Sequence, residues 1–223
     1  MCRKIGGSEL KTAILFDLDG TLLDTLGDLH AAVNVVLQQF GYPTRSIEEV
    51  RQFVGNGARR LIEQAVPAGE EDKVEQVLAA FQSHYAAHCD ILTKPYPGIE
   101  TMLEAVGQKY PMAVVSNKPD RAVKELAKIY FPTLYARGES EDCPRKPAPD
   151  MVFKAMQALG AERCVYVGDS EVDVLTAANA QVPCLSVTWG FRDMHTLTQA
   201  GAEYFCHRAE DLPQMLESIL ENT

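Results

Sequence analysis

The 223-residue chain, 46% hydrophobic and 23% charged, is long enough to bury a proper core and to form one large domain or two small ones. Its formal net charge of -10 argues against nucleic-acid and membrane partners, although a small anionic substrate responds instead to the local field of a site. Cys2, Cys89, Cys143, Cys164, Cys184 and Cys206 form no C-x-x-C pair, the first residues carry no apolar signal segment and no later run could cross a bilayer, so a cytoplasmic protein, a monomer or weak dimer, is expected.

Residues 11–16 (K-T-A-I-L-F) read as a short buried strand, followed directly by Asp17-Leu18-Asp19-Gly20-Thr21. A buried strand gains nothing from ending in two carboxylates. Gly20 permits a tight turn off the carboxyl end of a sheet, where open α/β sheets place their active sites. Alternate strand residues point the same way, so Asp17 and Asp19 are expected to converge, and their repulsion calls for a cation or a shared proton. A hard divalent ion such as Mg²⁺ takes oxygen ligands, keeps several waters and accepts substrate phosphate. Alone, the same residues could serve turn chemistry.

After Thr21 the pattern is helical. Thr25 with Asp28 three residues on resembles a helix start, and Leu26, Leu29, Val33, Val36, Leu37 and Phe40 follow at helical spacing until Gly41. Further helices are expected at residues 47–53 and 58–66, and a fourth carries Val74, Val77, Leu78, Phe81 and Tyr85 on one face. Residues 23–96 therefore read as an α-helical cap inserted into a core formed by residues 1–22 and 97–223, with Pro95, Pro97 and Gly98 as the return linker.

Beyond the linker, helix and strand alternate through residues 99–109, 112–116, 121–130, 149–159, 164–167, 172–179 and 182–187, with a weak strand at Tyr204–Cys206 and a helix near 211–220. Such alternation implies βαβ units and a parallel sheet, an α/β Rossmann-like core. Three of its loops carry chemistry. Ser116-Asn117-Lys118-Pro119 ends a β-branched strand with a hydroxyl that can donate to a phosphoryl oxygen at the head of the next helix. In Arg145-Lys146-Pro147-Ala148-Pro149-Asp150 the prolines hold Lys146 in place. Gly168-Asp169-Ser170-Glu171-Val172-Asp173 ends another strand with a carboxylate, and Asp173 can cap the next helix through Ser170.

Together the motifs D-x-D-G-T, hydroxyl-Asn, Lys-Pro and Gly-Asp-x-x-x-Asp resemble the haloacid dehalogenase superfamily in order and separation, over nearly the whole chain. The resemblance implies a Mg²⁺-dependent phosphatase in which Asp17 is the nucleophile, Asp19 the general acid/base, and Lys146 balances charge. Ser116, Asn117 and Lys118 would lie at the phosphate; Asp17, Asp19 and Asp169 would hold the metal, with Asp173 behind them. Attack by Asp17 would form an aspartyl-phosphate, splitting one difficult displacement into two. The dehalogenase branch, which attacks carbon, lacks the second acid that Asp19 provides.

Within the expected cap, Val54-Gly55-Asn56-Gly57-Ala58-Arg59-Arg60 resembles a loop of phosphoglycolate phosphatases, as do Ser116-Asn117-Lys118-Pro119 and Thr188-Trp189-Gly190-Phe191 in the core. The turn opens a helix whose free N–H groups could receive a substrate carboxylate, so Gly57, Ala58, Arg59 and Arg60 are candidate substrate contacts; the arginines oppose the helix dipole and could equally be solvated. Residues 135–141 depart from the usual Gly-Gly-Asp stretch of that subgroup. His84 and His88 are four residues apart, but His88 is expected on the apolar face and a third ligand is lacking. Trp189 is expected to pack rather than bind. The activity implied is hydrolysis of a small anionic phosphate ester, first 2-phosphoglycolate. A sugar phosphate, nucleotide or pyrophosphate, a phosphomutase reaction, and a non-enzymatic phosphate-sensing module are the alternatives.

Overall fold

The computed structural model describes residues 10–222, so Cys2 and the start of the chain lie outside the described residues. Strand β1 (Thr12–Phe16) sits inside a six-stranded parallel sheet. Its neighbours are β4 (Met112–Pro119) and β6 (Arg163–Gly168), with β5 (Tyr135–Glu139), β7 (Cys184–Val187) and β8 (Tyr204–Cys206) completing the order β5-β4-β1-β6-β7-β8. Register pairs Leu15 with both Ala113 and Tyr166, which brings the ends of the three central strands to one edge. These strands are continuous apolar runs because both faces of the sheet are covered.

The two faces separate by the strand period of two. Ala13 and Leu15 join Ala113, Val115, Cys164 and Tyr166 beneath helices α7 (Asp150–Leu159) and α8 (Glu171–Ala180). Ile14 and Phe16 point the other way, to a larger core shared with α5 (Ile99–Gly107), α6 (Asp120–Tyr130) and α10 (Leu212–Glu221). That core continues into α1 (Leu26–Gln39), α2 (Ile47–Phe53), α3 (Gly57–Ala65) and α4 (Val74–Ala86), whose apolar stripes face one another. No helix among the described residues is long and apolar enough to cross a membrane.

The structure adds elements that periodicity did not reveal. Two-residue strands β2 (Leu23–Asp24) and β3 (Lys94–Pro95) pair antiparallel where the chain enters and leaves the four helices, and are too short to leave a pattern. Strand β5 (Y-A-R-G-E) lacks an apolar run because it lies at the sheet edge. Helix α9 (Met194–Gln199) has a single buried residue, Leu197. The start of α1 is real, but Thr25 and Asp28 do not cap each other. Thr25 donates to Asp19 at 2.6 Å, while Asp28 accepts from the Leu92 and Thr93 amides at 2.9 Å each and from the Thr93 hydroxyl at 2.8 Å. Asp28 thus ties the return segment to the first turn. His88 is exposed rather than on the apolar face, because α4 stops at Ala86 and the following turn buries Cys89 instead. Trp189 is half-buried against the larger core and donates to the Thr21 carbonyl at 3.0 Å.

Candidate active site

Three strand ends converge. The residue after β1, Asp17, donates its amide to Val167 of β6 at 2.8 Å and is buried. Gly20 follows with φ +87°, and a Cβ there would stand 2.3 Å from an Asp169 oxygen. Only glycine fits that turn. Gly190 is equally close on another side of Asp169, so this carboxylate is wedged between two backbones. It accepts from the Thr21 hydroxyl and from the Phe191 amide, both at 2.8 Å.

Oxygens of Asp17, Asp169 and Asp173 lie within 4.8 Å of one another. Lys146 reaches into this group, 2.7 Å from Asp173 and 2.9 Å from Asp17, and donates to the Tyr166 hydroxyl at 3.0 Å. Its ammonium pairs with Asp17 Oδ1 by distance but not along a hydrogen-bonding direction, so that oxygen, though buried, has no hydrogen-bond partner. Asp173 also accepts from the Ser170 amide at 3.1 Å and its hydroxyl at 2.6 Å, combining the helix cap with an ion pair. Lys146 is held by more than its prolines. The Asn117 amide side chain accepts from Lys146 N at 2.7 Å and donates to Lys146 O at 3.0 Å, and also donates to Gly55 O at 3.1 Å.

Asp19 does not join the three carboxylates. Its Oδ1 accepts from Thr25 at 2.6 Å and from Lys118 Nζ at 2.7 Å, while its side chain lines the same cavity as Asp17. β1 ends at Phe16, and the buried Lys118 pairs with Asp19 beyond the strand end. The third member of the carboxylate group is Asp173.

Burial lifts the Asp17 carboxyl from 3.8 to about 7 against the pull of Lys146, with Asp173 and Asp19 adding repulsion. Asp169 is pushed well above its ordinary value, again by burial first and then by Asp173 and Asp17. Fully ionised, the three carboxyl groups would leave two negative charges uncompensated by the one ammonium, and the raised Asp17 and Asp169 values reflect that excess. Together with the orphaned Asp17 oxygen, that excess fits a hard divalent cation held by oxygen ligands.

Above this group lies a cavity of about 470 Å³, reached by Asp17, Asp19, Ser116, Lys118, Lys146 and Asp169 from the sheet. From the helices come Gly57, Ala58, Leu61, Phe81 and Tyr85. Ser116 is buried, and its Oγ accepts only from the Lys118 amide, at 3.3 Å, so its proton is free to be donated. Arg59 and Arg60 stay outside. Their side chains are 49% and 54% exposed and pair with Glu75 and Glu63, because Ala58 and Leu61 occupy the arc of α3 that faces the cavity.

Sequence reasoning passed over several residues here. Thr21 and Tyr166 orient Asp169 and Lys146; a tyrosine inside a fully buried strand is a signal, since its hydroxyl needs partners. Arg192 donates to the carbonyls of Arg51 at 2.9 Å, Gln52 at 3.3 Å and Val54 at 2.6 Å, and to Glu171 at 2.8 Å. Nothing local to Arg192 announces partners so distant in sequence.

The haloacid dehalogenase-like hydrolase family model matches residues 14–187. Phosphoglycolate phosphatase 1 of Pseudomonas aeruginosa is 36% identical over 219 residues, covering 92% of this chain and 79% of that protein. The phosphoglycolate phosphatase of Cereibacter sphaeroides is 35% identical over 217 residues, covering 93% and 98%. A solved structure from Lactobacillus delbrueckii subsp. bulgaricus superposes with a TM-score of 0.86 at 36% identity, covering 93% of this chain and 99% of its own.

Proposed function

Because the chain belongs to the haloacid dehalogenase-like hydrolases, we propose that it is a Mg²⁺-dependent phosphomonoesterase whose substrate is 2-phosphoglycolate. The observation that carries this reading is the Asp17 carboxylate, with one buried oxygen lacking a hydrogen bond, among two further carboxylates and a lysine on the floor of a cavity. A binding module has no need of such a nucleophile. We read residues 23–96 as the cap that roofs this cavity, with residues 1–22 and 97–223 as the core.

In the proposed mechanism, Asp17 attacks phosphorus and carries the phosphoryl group as an aspartyl-phosphate. Ser116 and the backbone amides after it hold phosphoryl oxygens at the head of α6. Lys146, fixed by Asn117, Asp173 and Tyr166, offsets the charge of the nucleophile. Asp19, placed by Thr25 and Lys118, protonates the leaving alkoxide and then takes a proton from the attacking water. Asp17 and Asp169 would hold Mg²⁺, which supplies charge neutralisation and alignment of the phosphate, while Asp173 stands behind them.

A phosphate-release screen across small monoesters with Mg²⁺ tests the assignment. The expected result is a kcat/KM for 2-phosphoglycolate above that of every other ester. The cavity of about 470 Å³ also has room for a sugar phosphate, so a hexose or pentose phosphate belongs in the same panel; a higher kcat/KM there would replace the 2-phosphoglycolate reading.

A further inference from the structure

A site for 2-phosphoglycolate must read a carboxylate one methylene away from the ester oxygen, and the cations around the cavity already have partners. Lys146 is paired with Asp17 and Asp173, Lys118 with Asp19, and Arg192 with Glu171 and three carbonyls. Arg121, at the rim, is 85% exposed and paired with Glu125. Much of the wall is apolar, including Leu29, Val54, Leu61, Phe81 and Phe191.

One buried donor of the helical layer breaks that wall. Tyr85, on α4, lines the cavity with 4% of its surface exposed, and its hydroxyl, close to the Lys118 ammonium, has no acceptor for its own proton. Buried hydroxyls normally find one, so an orphan facing a cavity invites an acceptor from a ligand. The ring is held on two sides. It stacks on Phe81, with centroids 5.4 Å apart and planes 8° from parallel, and the Lys118 ammonium stands 4.7 Å from its centroid. Burial raises the phenol above its ordinary value of 10, against the opposing effect of Lys118, so the group remains a donor at neutral pH.

The placement suits the leaving group. Lys118 Nζ lies 2.7 Å from the oxygen of Asp19, the residue assigned to protonate the ester oxygen. A substituent one carbon beyond that oxygen therefore falls beside Lys118 and the Tyr85 ring. Resting on the 2-phosphoglycolate reading above, we propose that Tyr85 is a specificity-determining residue, its hydroxyl donating to the substrate carboxylate next to the Lys118 ammonium. Lys118 then serves both ends of the leaving group. Its charge faces the carboxylate while its hydrogen bond orients Asp19.

Tyr85→Phe isolates the hydroxyl, because it keeps the ring, the Phe81 stack and the Lys118 contact. Kinetics on 2-phosphoglycolate and on ethyl phosphate, which has no carboxylate, are compared with Mg²⁺ present. The expected result is a roughly ten- to hundredfold loss of kcat/KM on 2-phosphoglycolate, mostly as a higher KM, with ethyl phosphate within about twofold of wild type. The melting temperature of the variant should stay close to that of wild type, since the ring packing is kept and the removed hydroxyl has no acceptor for its proton. Retention of the wild-type preference by Tyr85→Phe overturns the role given to Tyr85 and leaves the substrate reading standing. Equal losses on both esters, or a lowered melting temperature, make Tyr85 a packing residue and overturn it as well. A wild-type enzyme that turns over ethyl phosphate as well as 2-phosphoglycolate overturns the substrate reading, and with it the carboxylate contact.

Discussion

Asp17 and Asp19, two residues apart, have separate surroundings, and each leads to its own expectation. Asp17 sits among Lys146, Asp169 and Asp173, so Asp17→Asn keeps the shape while removing the nucleophilic charge. Turnover should fall to background with the fold intact by circular dichroism; near wild-type turnover would exclude covalent catalysis by Asp17. Asp19 instead faces Thr25 and Lys118. Asp19→Asn should cost about 10²–10⁴ in kcat on alkyl phosphates and much less on nitrophenyl phosphate, whose leaving group needs no proton. Equal losses on the two esters would count against a general acid at this position. The difference between the aspartates arises outside the strand, since β1 ends at Phe16 and Lys118 arrives from β4.

At the scale of elements, two side chains add backbone contacts to the core shared by the sheet and the four helices. Arg192 grips carbonyls at the carboxyl end of α2, and Asn117 holds Gly55 with one amide proton and the Lys146 carbonyl with the other. The roof loop and the buried lysine thus share a bracket. Arg192→Ala should lower the melting temperature by a few degrees, as expected for loss of partly exposed hydrogen bonds worth about 1–3 kcal/mol. It should also weaken substrate binding, because Val54 and Gly55 border the cavity. Arg192→Lys should rescue little, since a point charge cannot reach several carbonyls and Glu171 together. An unchanged KM and melting temperature in Arg192→Ala would show that the contacts at α2 carry no load.

Over the whole molecule, the carboxylate excess makes stability depend on pH and on cations. The folded pKa of Asp17 lies above its unfolded one, so the fold favours the neutral acid. That contribution is complete below pH 3.8 and is lost as the pH rises through about 7. Metal-free protein should therefore melt lower at pH 8 than at pH 6, and Mg²⁺ should restore the difference at pH 8. A cation at a hundredfold excess over its Kd adds about 2.7 kcal/mol, or about 5–10 °C for a chain of this size. The gain should shrink toward pH 6 as protons compete for the same oxygens. Calorimetry with chelator and with added Mg²⁺ at the two pH values measures it, and a gain that grows on acidification would refute the linkage.

The alternation of strand and helix, and the polar residues that end the strands, follow from local rules: a buried parallel strand must be apolar, and a carboxylate at its end has no packing reason to be there. Hence the sheet and the four helices were legible in the chain itself, and the gathering of Asp17, Lys146 and Asp169 was implied by the family resemblance of their motifs. What tertiary structure alone decided was which charged groups pair. Arg59 and Arg60 were attractive by position in a loop, yet one turn of α3 aims Ala58 and Leu61 at the cavity and leaves both arginines in solvent. Conversely, Tyr85 belongs to an apolar stripe indistinguishable from core, and only the packing of α4 over Lys118 leaves its hydroxyl proton without an acceptor at the cavity wall. Periodicity reports which face of an element is buried; whether that face meets another apolar surface or an active site depends on contacts far apart in sequence, and no local pattern encodes them.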